Sequence, residues 1–267
     1  MESIYNNPYL PSAAPILDII PETEMEKTFR VQAEVSANFG QFLEISLPGF
    51  GEAPVSLSDI GDDWLDLTIR KTGRLTSRIH ELNKGDYLYW RGPYGQGFPL
   101  KRFINQHLVV IAGGTGLAPV RGIINYFHNR PEKILQLDIV AGFKKPSEVL
   151  FPDDLKRWEK TFNTLVTVDE ACEPWSGCEG LVTKFIPDLE IGDLETTEAL
   201  AVGPPIMIKF AVQELVKQGV FEDRIWVSLE RRMHCGLGKC GHCKIEDKYI
   251  CQDGPVFNWS QAKALKD

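Results

Sequence analysis

Several features that would assign the chain to common protein classes are missing from its sequence. No uncharged run is long enough to span a bilayer, and the first residues lack the basic region and apolar stretch of an export signal. Positive charge is scarce, because 29 Lys and Arg face 37 Asp and Glu, which gives a formal net charge of -8. We therefore expect a cytoplasmic protein with no membrane span, and the acidic balance argues against nucleic acid as a partner.

The chain also has no internal repeat, no low-complexity linker and no metal-binding spacing among its five histidines. Hydrophobic residues make up 43% and charged residues 25% of the 267 positions, which is ordinary for globular domains. This length exceeds one typical domain and predicts two domains with a smaller third element. Six cysteines are expected as thiols or metal ligands, which suits the cytoplasm.

Two different patterns divide the chain. From Pro15 to about Pro99, short β-type runs are separated by Gly, Pro, Asn and Asp, which predicts an antiparallel barrel or sandwich. From His107, apolar runs alternate with helical stretches, which predicts a parallel sheet covered on both faces. One predicted helix covers 206–218. Its apolar positions are Ile206, Phe210, Leu215 and Val216.

Four cysteines near the C-terminus follow the pattern Cys-x4-Cys-x2-Cys-x7-Cys. They are Cys235, Cys240, Cys243 and Cys251. This is the plant-type spacing for a [2Fe-2S] cluster, in which four thiolates converge on two irons. Gly236, Gly238 and Gly241 permit the tight wrap, because glycine reaches positive φ and lets amides approach the sulfurs. A structural zinc site is the alternative, although it usually has two Cys-x2-Cys knuckles.

Two glycine-rich turns predict a nucleotide site. IAGGTGLAP at 111–119 lies between an apolar strand and a helix, where a helix N-terminus can meet a phosphate. Gly113, Gly114 and Gly116 allow close approach of the backbone, although Pro119 replaces the third glycine of the usual fingerprint. GPPIM at 203–207 follows a later strand, and the two turns are expected to flank one crevice.

The β-rich half carries polar groups suited to a flavin. Hydroxyls at Ser56, Thr76 and Ser77, together with Arg70 and Gly73, are candidate donors for an isoalloxazine edge and a pyrophosphate. Taken singly, these residues belong to ordinary strands and turns.

Other residues have simpler interpretations. Cys172 and Cys178 are expected to be free thiols. The charged run at 230–232 predicts a solvated turn, with docking of a partner as the alternative. Asp169 and Glu170 end a predicted strand and are either solvated or placed to repel a 2′-phosphate, which would favour NADH.

A family resemblance rests on the order of the motifs along the chain. They read APVSLS, TGRLTS, RGPYG, GGTGLAP, AGF, GPP and HCGLGKCGHC, with a closing Cys and DGPVF. In this order they resemble the ferredoxin-NADP reductase superfamily with an appended cluster segment. The chain is most similar to the iron-sulfur flavoproteins of the anaerobic sulfite reductase (B-type) and sulfhydrogenase (gamma-type) complexes, and more distantly to dihydroorotate dehydrogenase electron-transfer subunits. The likeness runs from about Ala14 to Phe257.

The resemblance implies a multidomain β and α/β fold. It implies an extended arm at 1–13, an FAD-binding antiparallel Greek-key barrel at 14–103, a Rossmann-like NAD(P)-binding parallel domain at 104–229 and a [2Fe-2S]-binding segment at 230–267. The residues implied for the flavin are Pro54, Val55, Ser56, Ile69, Arg70 and Lys71, with Gly73, Thr76 and Ser77 at its phosphates. Those implied for NAD(P)H are Gly113, Gly114, Thr115, Gly116, Gly203, Pro204 and Pro205. Ala53 stands where many members have Arg, so FMN remains an alternative to FAD.

The function that the resemblance implies is electron transfer. Electrons would pass from NAD(P)H through FAD and a [2Fe-2S] cluster to a partner subunit of sulfite reductase or hydrogenase type. No side chain is expected to act as a catalytic acid or nucleophile, and no sirohaem or nickel motif is present, so the expected partners are catalytic and electron-relay subunits of a hetero-oligomeric complex. The alternatives are a dihydroorotate dehydrogenase-type subunit that delivers electrons to NAD+ and a stand-alone NAD(P)H:flavin reductase with a structural zinc.

Overall fold

The computed structural model describes residues 7–265, so the first six positions of the predicted arm lie outside the described residues. Six strands close into a barrel whose neighbours are all antiparallel, in the order β1-β2-β5-β4-β3-β6. They are β1 (Ser12–Pro21), β2 (Glu26–Gln32), β3 (Phe42–Leu47), β4 (Gly51–Ile60), β5 (Trp64–Arg70) and β6 (Tyr87–Tyr94). Helix α1 (Arg74–Ile79) connects β5 to β6. The predicted barrel is confirmed, and the sandwich alternative is wrong.

A seven-stranded sheet forms the second half, in the order β10-β9-β8-β7-β11-β12-β15. Its strands are β7 (His107–Gly113), β8 (Gln136–Phe143), β9 (Asn163–Val168), β10 (Cys178–Glu179), β11 (Thr197–Val202), β12 (Ile225–Ser228) and β15 (Val256–Asn258). All neighbours are parallel except β12 and β15. The short hairpin of β13 (Lys244–Ile245) and β14 (Lys248–Tyr249) lies in the cysteine-rich segment. That segment is therefore joined to the sheet through β15, and the predicted domain bounds remain predictions.

Helices cover both faces of the sheet, as predicted for parallel strands. They are α2 (Leu100–Phe103), α3 (Leu117–His128), α4 (Pro152–Trp158), α5 (Pro205–Lys217), α6 (Ile250–Asp253) and α7 (Trp259–Ala262). Alternate residues of β7 enter opposite cores, since Val110 packs in the core that holds α3 whereas Val109 and Ile111 pack in the core that holds α5. Within residues 7–265, no helix has the length and apolar character needed to cross a membrane.

The apolar face predicted for α5 is wrong at three of four positions. Ile206 is 61% exposed, Phe210 47% and Val216 40%, and of the predicted set only Leu215 is buried. The buried positions recur at i, i+3, i+4 and i+7, which is the helical period. They are Ile208, Ala211, Val212 and Leu215. The prediction favoured large side chains and overlooked Ala211, whose small side chain allows the helix to lie close to the sheet.

Buried polar contacts join the barrel to the sheet through α3. The Arg121 guanidinium donates to Asp66 on β5 (3.0 Å) and to Asp154 on α4 (2.6 Å). Asn125, one turn further along α3, donates to Asp59 on β4 at 2.8 Å. Charge-assisted bonds of this kind are strong when both partners are buried, so they hold the barrel and the sheet in one arrangement.

Candidate cofactor-binding sites

The four C-terminal cysteines meet as two pairs beside the barrel. The side chain of Cys240 interacts with that of Cys235, and Cys251 interacts with Cys243 and more weakly with Cys235. Cys243 and Cys251 are buried, Cys235 is half-buried and Cys240 is exposed, and all are free thiols. Within residues 7–265, no three His, Cys, Asp or Glu side chains are gathered as ligands of one metal ion. The arrangement is thus a pair of sulfur pairs with one exposed member.

Backbone amides point at the sulfurs. Leu237 N donates to Cys235 Sγ at 3.3 Å, and Gly238 N donates to Cys251 Sγ at 3.2 Å. The backbone N–H of His242 lowers the pKa of Cys240, whereas burial raises the pKa of Cys251 to about 12. Amide donors stabilise thiolates and the sulfurs of iron-sulfur clusters, so the donor set suits such a cluster.

The prediction that glycine makes this wrap possible is confirmed. Gly236, Gly238 and Gly241 have φ of +67°, +66° and +81°. A Cβ at Gly236 would lie 2.5 Å from the ring of Tyr94, and a Cβ at Gly238 would lie 2.3 Å from Gln252 Oε1. The first two glycines therefore serve both the turn and close packing against the barrel and α6.

A cleft of about 180 Å³ lies where the barrel, the sheet and the cysteine-rich segment meet. From the barrel it is lined by Pro54 and Ser56 on β4 and by Phe42 on β3. The remaining lining comes from α3, from the ends of β11 and β12, from the segment before the cysteines and from the residue that precedes β15. These residues are Pro119, Val202, Ser228, Leu229, Glu230, Arg231, Met233 and Pro255. We call this site the junction cleft.

The residues predicted to bind a flavin are divided among three environments. Pro54 and Ser56 line the junction cleft, whereas Val55 and Ile69 turn their side chains into the barrel core. Ile69 is 2% exposed, and its carbonyl oxygen is hydrogen-bonded to His80 Nε2 at 2.8 Å. The others do not line the cleft: Arg70 pairs with Glu26 at 3.0 Å, and Lys71 is exposed.

The predicted phosphate-binding residues Gly73, Thr76 and Ser77 form the first turn of α1. The Thr76 hydroxyl accepts from the Gly73 N–H at 2.9 Å, and the Ser77 N–H donates to the Gly73 carbonyl at 2.8 Å. These three residues lie close together, and the hydrogen bonds described here join them to one another within the turn. Their role toward a flavin stays a prediction.

The two glycine-rich turns come together as predicted, because β7 and β11 are neighbours. A Cβ at Gly203 would lie 3.0 Å from the Gly113 carbonyl oxygen, and Gly203 has a φ of +155°. A crevice of about 350 Å³ opens at these strand ends, lined by Gly113, Gly114 and Pro204. Of the other predicted nucleotide residues, Gly116 packs against the Val202 carbonyl, while Thr115 and Pro205 are exposed.

Sequence reasoning missed much of the crevice wall. Its other lining residues are Gly142, Phe143, Lys144, Glu148, Asp169, Leu181, Val182, Thr183, Ile206, Met207 and Phe210. The sequence pattern places Ile206 and Phe210 in the helix core, although their position just after the GPP turn also suits a crevice wall. Asp169 lies in the crevice. Of the charged run at 230–232, Glu230 and Arg232 are exposed, in line with the predicted solvated turn, and Glu230 and Arg231 also line the junction cleft.

Two family models match the chain. Residues 110–213 match the oxidoreductase NAD-binding domain, and residues 230–263 match the iron-sulfur cluster binding domain of dihydroorotate dehydrogenase B. The first match contains the crevice turns, and the second contains all four paired cysteines. An NAD-binding domain and an iron-sulfur-binding domain are therefore both present.

Relatives match over nearly the whole length. Sulfhydrogenase 2 subunit gamma of Pyrococcus furiosus is 39% identical over 97% of this chain and 99% of its own. A probable dihydroorotate dehydrogenase B (NAD(+)) electron transfer subunit of the same organism is 32% identical over 88% of this chain and 85% of its own.

Solved structures agree with the fold. The structure of an NADH-dependent reduced ferredoxin-NADP oxidoreductase superposes with a TM-score of 0.76 at 25% identity, covering 95% of this chain and 92% of that one. The cytochrome b5 reductase domain of Ulva prolifera nitrate reductase superposes with a TM-score of 0.69 at 18% identity, covering 83% and 97%, which supports the fold alone.

Proposed function

The chain belongs to the family of sulfhydrogenase gamma subunits and dihydroorotate dehydrogenase B electron-transfer subunits, and on that premise we propose that it carries electrons from NAD(P)H to a partner subunit. The carriers are FAD and a [2Fe-2S] cluster. The partner is a catalytic or electron-relay subunit of a hetero-oligomeric complex. The cytoplasmic location stays a prediction from composition.

The observation that carries this proposal is the position of the junction cleft between the other two sites. Val202 lines the cleft at the end of β11, and the next residues, Gly203 and Pro204, begin the turn at the crevice. On the other side, Met233 lines the cleft and is followed two residues later by Cys235. The order of sites is therefore crevice, cleft and cysteines, which is the order that a nicotinamide, a flavin and a cluster require.

A flavin bound in the cleft would supply the conversion between a two-electron hydride and single electrons. Pro54 and Ser56 would hold it from the barrel, and the ends of β11 and β12 would close the opposite side. The crevice turns would bring the nucleotide from the sheet. No acid or nucleophile is required of the chain, so its residues bind, orient and separate the carriers. FAD is chosen over FMN by family resemblance alone, and FMN stays the alternative because Ala53 stands where many members have the arginine that clamps the flavin phosphates.

The plant-type spacing of the four cysteines favours two irons over one zinc. A zinc ion needs four ligands around one point, whereas a two-iron cluster takes two thiolates on each iron. Cys240 interacts with Cys235, and Cys251 interacts with both Cys243 and Cys235, so the four thiols lie close enough together to serve one cluster. The exposed Cys240 lies on the side from which an electron can leave toward a partner.

The iron-sulfur match to dihydroorotate dehydrogenase B favours a second candidate, in which electrons enter from a partner and leave to NAD+. A hydrogenase-type partner is supported by the greater identity to the sulfhydrogenase subunit. A sulfite reductase-type partner rests on the motif resemblance. Isolation of the native complex and identification of its other subunits distinguishes these three.

The cofactors are tested on anaerobically purified protein. We expect a flavin identified as FAD by chromatography after acid release, about two irons and two acid-labile sulfides per chain by the composition of the cluster, and an EPR signal that develops on reduction. Stoichiometric zinc without iron or an EPR signal would replace the proposal with the zinc-containing flavin reductase.

A further inference from the structure

The RGPYGQ segment at 91–96, which contains the end of β6, donates hydrogen bonds to both ends of the cysteine-rich segment. At one end, Arg91 Nη1 donates to the Cys235 carbonyl at 3.0 Å and Nη2 donates to the His234 carbonyl at 3.4 Å. At the other end, Gln96 N donates to the Gly254 carbonyl at 2.5 Å, and Gln96 Nε2 donates to the Gln252 carbonyl at 3.2 Å. The barrel thus holds both sides of the cysteine wrap.

Arg91 is itself fixed from the barrel side. Its Nε donates to Glu52 Oε1 at 2.8 Å and its Nη2 to Glu52 Oε2 at 2.6 Å, which is the paired geometry that suits a guanidinium. Glu52 lies on β4, two residues before Pro54 of the junction cleft. The Arg91 side chain is only 4% exposed, so its charge is shielded from solvent. It therefore bridges the strand that lines the cleft and the first of the four cysteines.

Two further contacts tie this arginine to the packing between the sites. Arg91 Nη1 also donates to the Tyr94 hydroxyl at 3.0 Å, and the Tyr94 ring lies against Gly236. The same ring packs 5.8 Å from the ring of Phe42, which lines the junction cleft. A change at Arg91 would therefore alter the spacing between cleft and cysteines as well as the local charge.

We propose that Arg91 is a positioning residue for electron transfer, which holds the Cys235 end of the cluster against the flavin barrel and stabilises the reduced cluster with its positive charge. This inference rests on the function proposed above. Reduction adds one negative charge to the cluster, and a shielded cation nearby favours that state. Without Arg91, Glu52 would face the same region unpaired. Nearby Glu44 is fully buried, and its carboxylate oxygens accept no hydrogen bond within residues 7–265.

Arg30 supplies a matched control. Its guanidinium binds Asp66 on the barrel with the same paired geometry, at 2.8 and 2.9 Å. Asp66 lies on β5, as does Trp64, on whose ring the guanidinium stacks at 3.7 Å. Arg30→Met removes an ion pair of the same geometry from the barrel, at a more exposed arginine (32% of the side chain against 4%), while leaving the contacts of Arg91 to Cys235 in place.

The test compares Arg91→Met, Arg91→Lys and Arg30→Met as purified holoprotein, with EPR-monitored redox titration and stopped-flow reduction by NADH. In Arg91→Met we expect the equilibrium distribution of the electron between cluster and flavin to move about tenfold toward the flavin. For a one-electron couple this corresponds to a cluster potential lower by about 59 mV. Electron passage from flavin to cluster should slow, while NADH reduction of the flavin stays unchanged. Arg91→Lys should have a cluster reduction potential close to that of the wild type but should transfer electrons more slowly. Arg30→Met should match the wild type in both.

The possible failures are distinguishable. Full cluster content in Arg91→Met with wild-type potential and transfer rate would overturn the inference while leaving the proposed function intact. If Arg91→Met does not retain a cluster, Glu52→Gln decides: a shift to higher potential supports the charge effect, and an unchanged potential overturns it. A wild-type protein without a cluster signal would overturn the proposed function and this inference together.

Discussion

The ring of Tyr94 occupies the space that a side chain at Gly236 would need, because a Cβ there would lie 2.5 Å from it. Tyr94 ends the last barrel strand, and Gly236 follows the first paired cysteine. The cysteine-rich segment is thus closely packed against the barrel at this point.

Gly236→Ala is expected to lower cluster content, because it adds the clash with Tyr94 to the strain of a φ of +67°. Gly241→Ala is the matched control, since Gly241 has a φ of +81° but nothing within 4 Å of its added Cβ. Iron content and the visible spectrum measure the outcome. Flavin content should remain normal in both, and equal iron loss in the two variants would show that the Tyr94 contact is unimportant.

Asp169→Ser is expected to weaken discrimination against NADPH by about tenfold, because a carboxylate in the crevice repels a 2′-phosphate. The measurement is the ratio of kcat/KM for NADH and NADPH. Glu170→Gln is the control, since Glu170 does not line the crevice and pairs with Lys145 at 3.5 Å. An unchanged ratio in Asp169→Ser would mean that the carboxylate is simply solvated.

Glu44 should make stability depend on pH. Burial raises the pKa of Glu44 to about 7, with Glu52 adding to the rise and Arg91 opposing it. The folded protein therefore holds a proton that the unfolded chain, with a pKa of 4.5, has lost. The free energy of unfolding should fall as pH rises from about 4.5 to 7, by about 3 kcal/mol at most, and level off above that range.

Denaturant unfolding at several pH values measures this contribution. Glu44→Gln should reduce the slope in that interval, whereas Glu34→Gln, at an exposed position, should leave it as in the wild type. A slope in Glu44→Gln as steep as that of the wild type would assign the pH dependence to other groups, such as Glu22 and Asp59, whose pKa values burial also raises.

The features predicted correctly from sequence depend on local backbone requirements. Cysteine spacing and the glycines at 236, 238 and 241 specify a wrap, and glycines at 113 and 203 mark turns at strand ends. The parallel sheet followed from apolar strands alternating with helices. Such signals are contained within a few residues, so a single sequence reveals them.

The features that were missed depend on contacts between distant segments. Arg91 belongs to the RGPYG motif, but nothing in that motif indicates its partners, which lie 39 and 144 positions away, at Glu52 and Cys235. Ile206 and Phe210 matched a core pattern, whereas the adjacent crevice leaves them exposed. The junction cleft collects residues from the barrel, the sheet and the cysteine-rich segment, and periodicity in one segment cannot reveal their meeting.

The central claim is a division of labour between flavin and cluster, and Cys240→Ser tests it most directly. Stopped-flow spectroscopy would follow NAD(P)H reduction of the flavin and the onward reduction of the native partner in the same sample, with Cys172→Ser, at an exposed cysteine outside the paired set, as control. The account predicts flavin reduction near the wild-type rate and loss of onward transfer in Cys240→Ser, with neither changed in Cys172→Ser. Equal loss of both steps, or onward transfer that survives in Cys240→Ser, would contradict it.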